Sequence, residues 1–470
     1  MPVPADTETF AERTVRVWRS DIRPTLSLGL PLAGAQLAQI AINATDVLMI
    51  GRLGAEKLAA SVLAFNMYVL MWFFGMGIIQ AVIPLATQAR GRRDLRQLRR
   101  VVRMGLWVAF LYCVPALVVL HFAEEVLVFL GQDPVLAKLA GGYMDWLKWT
   151  ILPSLVLFAL RAFLTVMEKS QVVLFATITG ALANAVFDYL LIFGELGFPK
   201  LELAGAGIAS VGSSLATLLF LFVYTLRHRR LRRYSLFGRL WRPDWQVLAQ
   251  ILKLGLPIAV TIVAEGGLFT ASSILIGWLG TLPLAAHGIA LQIASITFMV
   301  PLGISQAALT RVGLAAGRRD LGGVGRAGWT ALAVAEIFMF LCAVTFWVIP
   351  ETLISLYLDF SNPQSQEVLS LAVTFLAVAA IFQIADGAQA IGTNILRGLG
   401  DTTVPLIYAL CGYWIIGISL SLGLGFWAGW GGAGVWSGLA GGLATVGALT
   451  LIRFYRRETL CLIKAAPAGR

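Results

Sequence analysis

Long apolar runs, and not the alternating pattern of half-buried strands, dominate the chain. About twelve runs of roughly 20 apolar residues follow one another, and each is long enough to cross a hydrocarbon core of about 30 Å as a helix. Their approximate bounds are 26–50, 58–88, 101–122, 143–165, 170–193, 203–226, 251–275, 283–312, 327–349, 369–395, 402–425 and 432–453. The pattern predicts an all-α integral membrane protein with twelve transmembrane helices.

Composition excludes a soluble protein of this length. Of 470 residues, 58% are hydrophobic and 13% are charged, and the mean hydropathy is +0.81. The longest polar insert, 227–250, is too short to fold alone. The four cysteines lie far apart and give neither a disulfide framework nor a metal site. We therefore expect no cofactor, and no metal beyond a transported Na⁺.

The net charge of +11 is concentrated in particular loops. Arginines cluster before the first span, between spans two and three, and after spans six, eight and twelve. All these positions share one side if the spans alternate, so the positive-inside rule predicts that both termini are cytoplasmic. Such clusters serve as topology signals and contacts for anionic membrane lipids, and we expect no nucleic-acid partner.

An internal repeat divides the chain. A shift of 226 positions aligns "LSLGLP" (26–31) with "LKLGLP" (252–257), "IGRLG" with "IGWLG", and "GRRDL" (91–95) with "GRRDL" (317–321). A repeat of six spans predicts two homologous six-helix lobes in the same orientation, which is an arrangement typical of carriers. The predicted divisions are a cytoplasmic N-terminal segment 1–25, an N-lobe 26–226, a basic cytoplasmic linker 227–250, a C-lobe 251–453 and a cytoplasmic tail 454–470.

Polar side chains recur at helical spacing within four spans, so that each set shares one helix face. Each set contains a carboxylate. The sets are Gln36, Gln39, Asn43 and Asp46 in span one; Thr177, Asn184 and Asp188 in span five; Thr261, Glu265 and Ser272 in span seven; and Gln383, Asp386, Thr393 and Arg397 in span ten.

A carboxylate in a span costs about 2.5–3.5 kcal/mol on the insertion scale, and intramembrane acids usually mark ion or proton pathways. Such acids can take up H⁺, bind Na⁺ together with amide and hydroxyl oxygens, or neutralise an organic cation. Competition of the two kinds of cation for the same acids is the logic of antiport. His287 and Gln292 in span eight are further candidates for the substrate cleft.

Two prolines are candidate hinges. Pro31 precedes Asp46 in the first span, and Pro257 occupies the equivalent position in span seven. Because proline removes a backbone N–H and bends a helix, we hypothesise that the charge state of Asp46 changes the bend at Pro31.

Four segments resemble the multidrug and toxic compound extrusion (MATE) family, in particular its bacterial NorM-like and DinF-like members. They are "NATDVLMIGRLGAEKLAAS" (43–61), "NAVFDYLLIFG" (184–194), "LAAHGIALQIASITFMVPLGISQAALTRVG" (284–313) and "ADGAQAIGTNILRGLGDTTVP" (385–405). The resemblance implies a MATE-type fold. It also implies that Asp46, Asn184 and Asp188 form an N-lobe proton or cation cluster, and that Glu265 and Asp386 form a C-lobe cation site.

The same resemblance implies efflux of organic cations and other amphiphilic toxic compounds, driven by H⁺ or Na⁺, across the bacterial inner membrane. We expect a monomer. We also expect that the protein is not an enzyme, because neither H-E-x-x-H nor G-x-S-x-G occurs in the chain. The alternatives are a major-facilitator carrier, which also has twelve spans in two lobes, and a lipid-linked oligosaccharide flippase, which usually has a more cationic cavity.

Overall fold

The computed structural model describes residues 10–234, 236–238, 241–359 and 364–462, with the backbone alone for 10–20. Twelve of the described helices are long and apolar enough to cross a membrane. We number them α1 (Asp21–Gly51), α2 (Ala55–Gly91), α3 (Leu95–His121), α4 (Pro134–Val166), α5 (Ser170–Phe193), α6 (Glu202–Arg227), α7 (Trp245–Gly277), α8 (Thr281–Arg318), α9 (Leu321–Val348), α10 (Ser365–Leu399), α11 (Thr403–Trp427) and α12 (Gly431–Tyr455). The predicted fold class is confirmed.

Several of these helices are not uniform. The helix that contains α1 begins at Phe10, and α2 is interrupted at Ala81. A 3₁₀ turn, Lys148–Thr150, lies within α4, and two π-helical stretches, Cys411–Gly417 and Gly423–Trp427, lie within α11. Short helices at Ala123–Phe129, Arg229–Arg232 and Pro350–Ser355 connect longer ones, and the part of the chain that is described contains no strand.

The apolar runs located the helices, but some predicted helix ends lie several residues inside the observed helix. Hydropathy placed the start of α4 near residue 143, whereas the helix begins at Pro134. The Asp133 side chain accepts from the backbone N of Val135 at 2.8 Å, and proline is favoured at the first helical position. Polar capping therefore extends the helix beyond its apolar core.

The two copies of "GRRDL" adopt the same backbone conformation. Arg93 and Arg319 have left-handed φ angles of 61° and 59°. The following aspartates cap the next helices: Asp94 accepts from the Gln97 N at 2.9 Å, and Asp320 accepts from the Gly323 N at 2.8 Å. The sequence repeat is thus also a repeat of local structure.

Contacts divide the molecule into two compact units. The first unit contains the described residues of Met1–Ala33, Ser272–Leu399 and Trp414–Arg470, and the second contains Gly34–Ala271 and Gly400–Tyr413. The division of the chain into sequence lobes 26–226 and 251–453 stays a prediction, and its terminal segments 1–25 and 454–470 and its linker 227–250 lie partly outside the described residues.

In the first unit, the beginning of α1 packs closely against α8. A Cβ at Gly303 would overlap the backbone of Ala33, and one at Gly29 would press on Ile304. An ion pair lies at one end of this contact, with Arg311 Nη2 2.5 Å from Asp21 Oδ1. Small residues therefore let the two helices approach, and charge fixes their register.

The second unit repeats this arrangement with α7 and α2. A Cβ at Gly77 would overlap Ala259, and one at Gly255 would overlap the backbone of Ile78. Gly29 and Gly255 are 226 positions apart, as are Gly77 and Gly303. The first helix of each sequence repeat thus packs on the second helix of the other repeat.

Two ion pairs near these helix contacts follow the same relation. Arg326 Nε in α9 lies 3.4 Å from Asp21 Oδ2 within the first unit, and Arg100 Nε in α3 lies 3.6 Å from Asp244 Oδ2 within the second. The two arginines are 226 positions apart. Both repeats therefore use an equivalent arginine to pair with an aspartate that lies in, or just before, the helix received from the other repeat.

Candidate functional site

The second unit brings together three residues that the sequence singled out on α1 and α5. Asn184 Nδ2 donates to Asp188 Oδ2 at 3.1 Å, and Asp46 lies within hydrogen-bonding reach of both side chains. Asn184 and Asp188 are 1% and 0% exposed, respectively. Helical spacing of four residues places the Asn184 and Asp188 side chains on one face of α5, where Asp46 meets them.

Each member of this acidic cluster, defined as Asp46, Asn184 and Asp188, keeps a buried oxygen available. The Oδ1 atoms of all three have no hydrogen-bond partner among the described residues. Two carboxylates in contact repel each other unless a proton or a cation lies between them. The geometry suits an exchangeable monovalent cation. No group of three or more His, Cys, Asp or Glu in the described part of the chain could hold a metal ion.

Tyr143 on α4 belongs to the same neighbourhood, although the sequence pattern did not reveal it. It is 3% exposed and lies close enough to interact electrostatically with Asp46, Asp188 and Tyr68. Tyr68 in turn lies 3.3 Å from Ser154, measured between hydroxyl oxygens. Tyrosines have no distinctive spacing in an apolar helix, so only the fold could identify them as neighbours of the acids.

The other predicted residues of α1 lie on a more open surface. Gln36 and Gln39 are partly exposed and Asn43 is exposed. By contrast, Thr177 on α5 is buried, and its hydroxyl accepts from Arg161 Nη2 at 2.6 Å. A role of these four residues in the substrate cleft stays a prediction.

The second unit also contains the predicted residues of α7 up to Ala271. Glu265 is partly exposed, whereas Thr261 is 2% exposed. The Thr261 hydroxyl donates to the Pro257 carbonyl oxygen at 2.8 Å, within its own helix. That bond uses the one donor hydrogen of the hydroxyl, so Thr261 could contact a substrate only by accepting a hydrogen bond. Helix α7 runs through Pro257 without a break, as the helix containing α1 does through Pro31.

Asp386 and Gln383 lie in the first unit, on α10, and are 4% and 1% exposed. Gln383 Oε1 accepts a hydrogen bond from the Thr297 hydroxyl. The neighbouring helix α9 supplies Glu336, whose two carboxylate oxygens are buried with no hydrogen-bond partner among the described residues. A Cβ at Gly387 would lie 3.0 Å from Glu336 Oε1. A second intramembrane acid therefore approaches the segment that carries Asp386.

The two candidates of α8 differ in their surroundings. Gln292 is exposed. His287 is 1% exposed, its Nε2 lies 3.1 Å from the Ser273 hydroxyl, and its ring meets Trp436 edge to face at 5.5 Å between centroids. His287 thus serves packing within its unit, and a role of either residue in the cleft stays a prediction.

Known proteins resemble the chain over nearly its whole length. The protein-family model MatE matches residues 31–190 and 257–422, segments that begin 226 residues apart. The "Probable multidrug resistance protein NorM" of Rhizobium meliloti (strain 1021) is 46% identical over 452 residues, covering 96% of each chain. The protein of the same name from Mesorhizobium japonicum is 44% identical over 446 residues, 94% of this chain and 96% of the other. A crystal structure of MATE in complex with MaL6 has a TM-score of 0.86 at 20% identity, covering 96% of this chain and 99% of that one.

Proposed function

The chain belongs to the MatE family, and from that premise we propose that it is a multidrug efflux transporter that exchanges H⁺ or Na⁺ for amphiphilic organic cations. Its relatives carry the name multidrug resistance protein, which supports drugs and toxic compounds as substrates. Such a transporter needs no cofactor and is not an enzyme. The MatE family model matches both halves of the chain, so neither the major-facilitator alternative nor the flippase alternative is favoured.

The acidic cluster carries the proposal. A carboxylate that is 0% exposed in an apolar helix is costly unless it binds something, and Asp188 is within reach of a second carboxylate. We propose that the Asp46 and Asp188 pair holds one H⁺ between its two carboxylates and releases it when an organic cation neutralises the pair. The hydrogen-bonding contact between the Asp46 and Asp188 carboxyl groups favours H⁺ over Na⁺ as the coupling ion of the cluster.

Alternating access follows from the same premise. Two homologous lobes with the same orientation can rock about a shared cleft and open it to each side in turn. The basic loops support an inner-membrane location with both termini in the cytoplasm. We further propose that the monomer is the working unit, that it contacts membrane lipids and no nucleic acid, and that Pro31 and Pro257 are the hinges.

Transport into proteoliposomes tests the function. A fluorescent lipophilic cation is followed under an imposed pH gradient or an imposed Na⁺ gradient, for wild type, Asp46→Asn, Asp188→Asn and Glu265→Gln. The control is Glu125→Gln, because Glu125 is exposed on a short connecting helix. We expect the pH gradient to drive transport in wild type and control, and both aspartate variants to abolish it.

The same experiment separates the alternatives. Transport driven by Na⁺ and lost in Glu265→Gln would assign the coupling to Glu265 and Asp386 instead of the acidic cluster. A wild-type protein that responds to neither gradient would rule out cation-coupled antiport, and a lipid-flipping assay would then become the next measurement.

A further inference from the structure

Glu336 is an acid in the middle of α9 and is not a member of the acidic cluster. Fifteen residues of α9 precede it and twelve follow it, so about 22 Å and 18 Å of helix separate it from the two ends. Ile337, Phe340 and Leu341 beside it are exposed and apolar, as expected of a lipid-facing surface. At that depth neither bulk water nor lipid headgroups solvate a carboxylate, so its ionisation is costly.

The carboxyl group of Glu336 turns away from that surface and lies against α10. Both of its oxygens are buried, and neither has a hydrogen-bond partner among the described residues. A Cβ at Gly387 would lie 3.0 Å from Glu336 Oε1 and 3.1 Å from Met339 Cγ, so glycine at this position leaves the room that the carboxyl group fills. The carboxyl group therefore occupies the contact between α9 and α10, at the residue that follows Asp386.

No charged group compensates an ionised Glu336. Helix α9 packs against α8, α10 and the short helix Pro350–Ser355. The titratable or charged side chains of these helices that are not exposed are His287 and Arg311 on α8, Asp386 and Arg397 on α10, and Cys342 on α9 itself. Arg457, after α12, meets the beginning of α9 at Gly325, eleven residues before Glu336. Glu336 nevertheless has no hydrogen bond, ion pair or other electrostatic partner among the described residues.

Only the neutral form of Glu336 suits these surroundings. An ionised carboxylate without a cation or a hydrogen-bond donor is strongly disfavoured away from water, so the group takes up a proton. The neutral form is also imperfect, because a buried O–H without an acceptor costs about 1–3 kcal/mol, and methionine or leucine would fill the same space without that cost. An acid at this position therefore indicates that its ionised form is used in another conformation.

We propose that Glu336 is a second proton-binding residue, which holds one H⁺ at the contact between α9 and α10 and releases it when the two helices part during the transport cycle. The carboxyl O–H bond breaks, the proton passes to water, and a hydrated carboxylate remains. A proton needs no cavity, whereas Na⁺ would need several oxygen ligands around the carboxylate. The proposal rests on the proposed function and deepens it, because each substrate is exchanged for the proton of the acidic cluster and for that of Glu336.

The number of protons exchanged per substrate tests the proposal. Proteoliposomes with an acidic interior and a membrane potential clamped at zero take up radiolabelled ethidium, a permanently charged cation. Each exchanged proton raises the steady-state accumulation of ethidium about tenfold per unit of pH gradient. Wild type is compared with Glu336→Gln and Glu336→Asp. The control is Glu351→Gln, because Glu351 is exposed on the short helix that follows α9.

We expect Glu336→Gln to accumulate about tenfold less ethidium than wild type at a gradient of about one pH unit, since one proton fewer is exchanged. Glu336→Asp retains a carboxyl group and should reach the level of wild type, as should the control. A purely structural role of Glu336 would slow the approach to the steady state but leave the final level unchanged.

Infrared spectroscopy of the purified protein supplies a second measurement that does not depend on transport. The spectrum of wild type at neutral pH should contain the C=O stretch of one protonated carboxyl group that Glu336→Gln lacks. Absence of that difference would show that Glu336 is ionised and would overturn the inference.

An unchanged level of ethidium in folded Glu336→Gln would also overturn it. Size-exclusion chromatography establishes folding, and if Glu336→Gln does not fold, Glu336→Met replaces it in both measurements, because methionine adds no strongly polar atom to the apolar contact. Failure of the proposed function is distinct, since wild type would then accumulate no ethidium, and the infrared difference alone would decide whether Glu336 binds a proton.

Discussion

The close approach of α1 and α8 makes Gly303 a position where one methyl group should be costly. A Cβ there would overlap the backbone nitrogen and Cα of Ala33, which no rotation of a side chain can relieve. Gly288 lies in the same helix, and a Cβ at that position would meet nothing within 4 Å. The pair Gly303→Ala and Gly288→Ala therefore adds the same atom to the same helix in two different environments.

The magnitudes follow from that difference. Overpacking a rigid contact costs about 1–3 kcal/mol, because the helices must separate and lose contacts on both sides of the new methyl group. Replacing glycine by alanine in a helix without a clash gains about 0.5–1 kcal/mol. The two variants should thus differ by about 1.5–4 kcal/mol in the free energy of unfolding, with opposite signs relative to wild type.

Thermal and SDS-induced unfolding in detergent micelles measures the difference. The repeat supplies an independent second case, since a Cβ at Gly77 would overlap Ala259, whereas one at Gly266 would meet nothing within 4 Å. Gly77→Ala should destabilise the protein and Gly266→Ala should not. If Gly303→Ala and Gly77→Ala prove as stable as their controls, small residues do not set these helix contacts, and the argument fails.

Three further substitutions test two helix caps and one ion pair. Asp94→Ala and Asp320→Ala should each lower the free energy of unfolding by about 1 kcal/mol, because each removes a side-chain acceptor from a helix N-terminus. Asp320 Oδ2 also lies 3.9 Å from Arg326 Nη2, so the two variants are compared at high salt, which screens that exposed pair; unequal effects there would contradict the equivalence of the two caps. Asp21→Asn keeps the shape of the side chain but removes its charge from the 2.5 Å pair with Arg311. This variant should lower the free energy of unfolding by about 1.5–3 kcal/mol in the same assay. If the difference from wild type disappears in high salt, the pair is solvated and the reasoning is wrong.

Sequence pattern predicted the helices well because the bilayer imposes a strict length and apolarity on each one. It predicted the ends less well, since polar caps such as Asp133 lie outside the apolar run. It could not predict which helices meet. The exchange of α1 and α7 between repeats depends on contacts between residues more than 170 positions apart, such as Ala33 with Gly303, and a pattern read along one helix contains no such information.

The candidate site was predicted in part for a similar reason. Acids are rare in apolar spans, so Asp46 and Asp188 stood out, and the structure brings them together with Asn184. Tyr143 was missed because its type is common in membrane helices, and the surroundings of Glu336 became visible only with α10 beside it. An acid in a span, and an amide at helical spacing from it such as Asn184, are therefore readable from sequence, whereas neighbours from other helices such as Tyr143 are not.

The two copies of the repeat share the glycines of the helix contacts and the aspartates that cap helices, but they do not share the acids within the spans. Gly29, Gly77 and Asp94 recur 226 positions later, yet Asp46 corresponds to Ser272, and Glu265 corresponds to Gln39. Each half thus has an acid where the other has a neutral polar residue.

If the two halves contributed equally to coupling, Asp46→Asn and Glu265→Gln would impair transport to the same extent. We expect instead that Asp46→Asn abolishes proton-driven transport while Glu265→Gln retains part of it, because Asp46 lies within hydrogen-bonding reach of Asp188 on α5 and the two carboxylates can share one proton. Equal loss in both variants, measured as the initial rate of dye transport under the same pH gradient, would refute this asymmetry.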